Sequence, residues 1–429
     1  MERYKLTLGQ KALMTLYEEK DFCVNLMFAF KIKGNFNRNK LKETLQEVIE
    51  NNDAFRFKFY RDKTDNNIYQ YMDDENKLIF EEKNIDGNNY SEKYEKVKEY
   101  VRKLLTQVKC LSNEFMWDFI LFNMGNEESI FYARMNHLIC DGVTIVATLG
   151  NILSAYNGIP MKKSLGFSDF LKEQETFENS EEYIKLREKY KIQVDEFKNY
   201  ERILKLPKIN REYSIIKCFA TVDTDKILEF CKSNKLSFFH VSLFFYHVAI
   251  SYIYKRNDTL ITVPIGIRKP QYMNTIGYLL SASFSRLKLD ENMKMQDAAI
   301  LCRNNFFENS KIAPIFFKEL IDNKYLIEFL LTYQNQVGNF NKKIMLGDAE
   351  IETITDPELI GNTQKVIMNA ASVTAMEIDT AITYTLRVGK DIYTDEMREK
   401  TGQIFNLAAE CLSGKNMTFG EFCRILDNM

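Results

Sequence analysis

Apolar residues recur along this chain with two periods, and the periods divide it into elements. In TLGQKALMTLYEE (7–19), Leu8, Ala12 and Leu16 fall on one side of a helix. In NRNKLKETLQEVIENNDAF (37–55), Leu41, Leu45, Val48 and Ile49 do the same. VNLMFAFKIKG (24–34) reads as a strand closed by a turn at Gly34, and FRFKFY (55–60) alternates apolar and basic side chains as a half-exposed strand does. The polar run DKTDNNIYQYMDDENK predicts a hairpin or loop, and SEKYEKVKEYVRKLLTQ (91–107) a helix whose charges form a solvated face. FMWDFILFN (115–123) and IFYARMNHL (130–138) predict strands around the turn GNEES. A helix follows over 143–158 and stops at Gly158-Ile159-Pro160.

The segment 171–203 is dense in Glu, Lys and Tyr and holds no Pro or Gly, which predicts one or two exposed helices joining two halves. The second half opens with a strand at SIIKCFATVD (214–223) and a helix at 224–234. A long apolar helix follows at 238–254, carrying His240 and His247. Strands are predicted at 259–270, 276–290, 329–336 and 379–388, and a last helix from Thr394 to Leu412. Helix and strand mix in both halves. The expected fold is therefore α/β (α+β), two lobes each with a mixed or antiparallel sheet and flanking helices. The expected division is an N-terminal lobe over 1–175, a helical connector over 176–204 and a C-terminal lobe over 205–429.

Composition narrows the function classes. The chain has 429 residues, 45% apolar and 28% charged, which is a folded globular balance and too long for one ordinary core. Its net charge of -2, without any sustained Lys/Arg cluster, argues against nucleic acid and anionic membrane as partners. The eight cysteines are scattered with no C-x-x-C pair, which disfavours a zinc site and a disulfide framework and fits a reducing cytosol. The N-terminus lacks the apolar stretch of a secretory signal, and 238–254 is short for a membrane span.

The candidate chemistry lies in RMNHLICDGVT (134–144). His137, one of three histidines, is followed by Asp141 and Gly142 at a strand–loop–helix junction. Alone, this spacing fits a hydrogen-bonded structural histidine better than a reactive one. A metal site fits least, because three or four ligands must converge. His240 and His247 read as core or lobe-interface residues.

The order of motifs shifts that balance. MNHLICDGVT resembles the H-H-x-x-x-D-G motif of the condensation domains of nonribosomal peptide synthetases, within the chloramphenicol-acetyltransferase-like acyltransferase superfamily. LTLGQKALMTL, with Gln10, resembles the opening helix motif of that family, and NNDAFRFKF, with Arg56, resembles its R-H-E-x-L-R-T-x-F. FSDFLKEQ (167–174) resembles its aromatic-x-D-aromatic motif, and VPIGIRKP with IGYLLSASFSRLKL resembles its G-x-R and I-G-x-F-x-N-T motifs. Five matches in order span the chain. There are departures: Asn136 replaces the first motif His, Ser281 stands where Asn is common, and H-Q-D-x-P-F-E has no match near 304–320.

The resemblance implies two lobes around a central tunnel, with His137 as the catalytic residue. Asn136, Asp141, Gly142 and Arg268 would support the motif, Asp141 pairing with Arg268 of the second lobe and Gly142 allowing close backbone approach. Ser281, Ser283 and Asn335 are candidates for binding substrate, and each also reads as an ordinary polar strand residue. The protein would need no metal and no cofactor of its own. Its donor would be a 4'-phosphopantetheine thioester on a carrier protein, or CoA. The partners would be carrier proteins or adjacent synthetase domains, met by a cytoplasmic monomer. With no carrier domain after the last predicted helix, the donor is expected to arrive from elsewhere. The alternatives are a stand-alone O- or N-acyltransferase and a degenerate recruitment domain.

Overall fold

The strand Trp117–Gly125 shows why its stretch of sequence is so apolar: it is buried on both faces. Trp117, Phe119 and Leu121 pack on one side with Phe28, Phe30 and Phe131. Ile120, Phe122 and Met124 pack on the other with Val97, Val101 and Leu104 of the helix Tyr90–Leu105. The Trp117 indole N–H, which burial would otherwise strand, donates to Phe55 O at 2.8 Å.

The computed structural model describes every residue except 1, 21–23, 74–77, 108, 110, 112–113, 205–212, 323–326, 335–343, 361–370 and 390–391. The chain forms two compact units. The first comprises Met1–Tyr183, Ile267–Leu280 and Asn339–Gln364, and the second Ile184–Gly266, Ser281–Gly338 and Lys365–Met429. The first unit thus recruits two segments from the second half of the sequence, and Arg268, expected in the second lobe, lies in one of them.

In the first unit, a six-stranded sheet runs in the order Ile344–Leu346, Ala349–Thr353, Asn25–Lys33, Glu128–Asn136, Trp117–Gly125, Phe80–Asn84. Neighbours are antiparallel except the parallel pair of Phe80–Asn84 with Trp117–Gly125. A smaller sheet joins Arg3–Lys5, Ile68–Met72 and Phe57–Arg61. Ile68–Met72 lies in the predicted hairpin or loop region, with Tyr69 and Gln70 buried. The helices Leu8–Lys20, Arg38–Asn51 and Gly142–Tyr156 agree with the predicted ones. Leu41, Leu45, Val48 and Ile49 are all fully buried.

The second unit has a mixed sheet in the order Leu280–Lys288, Asp258–Gly266, Phe329–Gln334, Ala371–Ile378, Ala381–Gly389, Tyr213–Asp223. The helix Phe238–Tyr254 is buried in its core from Val241 to Tyr252. Among the described residues no single helix is long and apolar enough to cross a membrane, and the pair Thr224–Asn234 and Phe238–Tyr254 is bent by 103°. The stretch 171–203, predicted as one or two helices, holds the end of Phe167–Glu178 and then Glu181–Lys189 and Lys191–Lys198. Their break falls at Asn179-Ser180, where the Ser180 hydroxyl bonds Phe177 O. The chain also continues past the predicted last helix into Phe419–Asp427, capped by Thr418 and Glu421.

Candidate functional site

The turn after the strand Glu128–Asn136 is held from three directions. Asn136 N–H donates to Met116 O and His137 N–H to Val24 O, each at 2.7 Å. The Asn136 carboxamide turns back and accepts from Leu138 N at 2.9 Å, so the residue in place of the motif's first histidine shapes the turn. From below, Gln10 Nε2 donates to Leu138 O at 2.8 Å. Gln10 and Gln70 are both fully buried and form a reciprocal amide pair, with Nε2-to-Oε1 distances of 3.0 and 2.9 Å.

His137 emerges from this turn partly exposed. Its Nδ1 lies 2.6 Å from Cys140 O. A carbonyl oxygen only accepts, so Nδ1 carries the proton and Nε2 keeps a free lone pair. Burial lowers the pKa of the ring below 6.5, opposed by the Cys140 carbonyl and the Asp141 charge. The ring is therefore a neutral, weak base with one defined tautomer.

Asp141 caps the helix Gly142–Tyr156 and does more than cap it. Its Oδ1 accepts from Thr144 N at 2.9 Å and Arg268 Nη2 at 2.6 Å, with Thr144 Oγ1 3.1 Å away. Its Oδ2 accepts from Arg268 Nη2 at 2.8 Å and Leu279 N at 3.0 Å. Arg268 Nη1 is spent on Tyr272 O and Thr275 O at 3.0 and 2.6 Å. The carboxylate is fully buried, and four contacts to donors replace its hydration.

Gly142 is exposed, and a Cβ built there meets nothing within 4 Å. Among the described residues, nothing outside its own helix and chain neighbours comes near the side on which that Cβ would stand, where close backbone approach was expected. The glycine that is crowded is Gly277, where a Cβ would lie 2.4 Å from the Phe167 ring. Phe167 is itself fixed by Asp53, whose carboxylate accepts Phe167 N and Ser168 N at 2.7 and 2.8 Å.

In the second unit, the Ser281 hydroxyl donates to Ala313 O, and that of Ser283 to Asn309 O at 2.6 Å. Both hydroxyl protons are used in holding the sheet to neighbouring helices. Asn335 lies outside the described residues. His247 is fully buried between Thr259 and Ser285 hydroxyls, and His240 accepts from Ser237 N at the start of its helix. Among the described residues no group of three or more His, Cys, Asp or Glu could hold a metal ion.

Tyr278, Thr144 and Gln70 were not singled out by the sequence. Thr144 had a signal, the D-x-x-T spacing of a helix cap. Tyr278 and Gln70 had none.

The family model described as Condensation domain matches residues 2–406. Bacitracin synthase 3 of Bacillus licheniformis is 24% identical over 283 residues, which cover 62% of this chain and 4% of that protein. Bacitracin synthase 1 of the same organism is 21% identical over 332 residues, covering 74% of this chain and 6% of that protein. The chain thus spans less than a tenth of the length of these relatives. The condensation domain of the Monacolin K polyketide synthase MokA superposes with a TM-score of 0.76 at 12% identity, covering 98% of this chain and 99% of that one. The first condensation domain of the calcium-dependent antibiotic synthetase gives 0.75 at 11%, covering 98% of each. At such identities the structures share the fold.

Proposed function

The chain belongs to the condensation-domain family, and from that membership we propose that it transfers an acyl group from a pantetheine thioester to an amine, forming an amide. The amine nitrogen attacks the thioester carbonyl, the C–S bond breaks, and the thiolate leaves with the proton the amine gives up. His137 Nε2 takes that proton from the tetrahedral intermediate and returns it to the departing sulfur.

One observation carries this reading: the bond from Nδ1 to Cys140 O leaves Nε2 as a neutral acceptor. A lowered pKa makes a weak base. That suits an amine, whose pKa near 8 leaves some of it unprotonated at neutral pH, better than a hydroxyl, which needs a strong base. Asn136, Asp141 and Arg268 act by holding the turn, and the open space at Gly142 leaves room for substrate. The donor and acceptor are carried by carrier proteins or adjacent synthetase domains in the cytoplasm.

The test is intact mass spectrometry of an aminoacylated acceptor carrier incubated with this protein and an acylated donor carrier. The acceptor should gain the mass of the acyl group. Release of free acid with an unchanged acceptor would contradict the proposal.

A further inference from the structure

The segment Gly277–Tyr278–Leu279 is pinned on both sides of its central residue. Gly277 N–H donates to Thr144 Oγ1 at 3.1 Å, and the Thr144 hydroxyl donates to Gly277 O at 2.8 Å. Leu279 N–H donates to Asp141 Oδ2 at 3.0 Å. Phe167 closes the space behind Gly277. The two side chains that begin the motif helix therefore fix the backbone before and after Tyr278, all within the first unit.

What this pinning delivers is a ring. Tyr278 is buried and stands edge-to-face on the His137 imidazole, with centroids 5.3 Å apart and planes at 79°. Its hydroxyl makes no hydrogen bond among the described residues, so packing of the ring, not a polar anchor, sets where it lies. A histidine held by one hydrogen bond at Nδ1 can still rock about that bond. A second, rigid neighbour on the ring removes the freedom.

We propose that Tyr278 is a positioning residue for His137, its ring holding the imidazole in the orientation that bonds Nδ1 to Cys140 O and leaves Nε2 available. Asp141 and Thr144 then act on the site at one remove, by setting the register of Tyr278. The consequence for catalysis rests on the acyl-transfer reading; the orientation itself does not.

Two variants separate the ring from the hydroxyl. Tyr278→Phe keeps the ring, and Tyr278→Leu keeps apolar bulk without it. With three histidines in the chain, the imidazole nitrogens can be followed by long-range proton–nitrogen NMR. In Tyr278→Leu, the His137 nitrogens should move toward values averaged over both tautomers, with His240 and His247 unmoved. Acyl transfer should fall about two- to tenfold in kcat, the worth of an aromatic pair, with KM little changed. Tyr278→Phe should match the wild type in both readings. A His137 spectrum unchanged in Tyr278→Leu overturns the proposal, as does Tyr278→Phe behaving like Tyr278→Leu. If the spectrum moves and transfer does not, the orienting role stands and the acyl-transfer role of His137 fails.

Discussion

Arg268 Nη2 sits 2.6 Å from one oxygen of Asp141 and 2.8 Å from the other, with the carboxylate fully buried and the guanidinium side chain 5% exposed. A pair so enclosed is held in place by the cost of breaking it. Asp141→Ala should destabilise the protein by about 3–5 kcal/mol, because it leaves a buried cation without its carboxylate. Arg268→Met should cost a similar amount. The double variant should lose clearly less than the sum, as urea unfolding of the four proteins would show. Additive losses would mean that the two side chains are not energetically paired.

The Gln10–Gln70 pair supports the site from beneath. Gln10→Leu leaves Thr7 N, Leu138 O and the Gln70 amide each short of a partner, and should cost about 1–3 kcal/mol. Replacing both glutamines by Leu should cost less than the two single changes together, since neither buried amide is then left alone. Chemical denaturation reads this directly.

Gly277 is the glycine whose replacement should be felt. Gly277→Ala drives a methyl into the Phe167 ring, and overpacking of this kind costs about 1–3 kcal/mol. Combining it with Phe167→Leu should recover part of the loss in melting temperature. At Gly142, where the space is open, Ala should leave stability nearly unchanged.

Acid should act through the histidines. Burial holds His247 at about 3 and His240 at about 4, and lowers His137 as well, whereas an unfolded chain takes up these protons near 6.5. Above pH 6.5 both states are neutral at these sites and their contribution is complete. As pH falls below 6.5 the unfolded state binds protons that the fold excludes, and stability declines. For the fully buried His247 the slope is about 1.4 kcal/mol per pH unit. NMR titrations of His247 and His240 should therefore show no midpoint near 6.5, and that of His137 should lie below it. Such a midpoint for His247 would refute the burial argument.

Much of the fold was legible because its elements are periodic and long. The helices at 38–51 and 238–254 and the strand pair at 117–125 and 128–136 follow from apolar spacing alone. Short edge strands such as Phe80–Asn84 (FEEKN) carry too little apolar pattern to be read. Nor does local pattern reveal that 267–280 joins the first unit, since that is settled by backbone amides at 277 and 279 meeting side chains more than 130 positions earlier. The same reason divides the site. His137 and Asp141 stand out as residue types in a motif, whereas Tyr278 matters only for where its neighbours' backbone is tied.

The central claim is that His137 is the reactive residue, and single-turnover acyl transfer between carrier proteins tests it most directly. His137→Ala should fold and bind carriers as the wild type does, while transfer falls by about 10²-fold, the low end of the range for a proton-transferring side chain. Asn136→Ala, which removes the carboxamide that accepts from Leu138 N within the turn, should stay within a few-fold of the wild type. Transfer by His137→Ala at the wild-type rate would contradict the account.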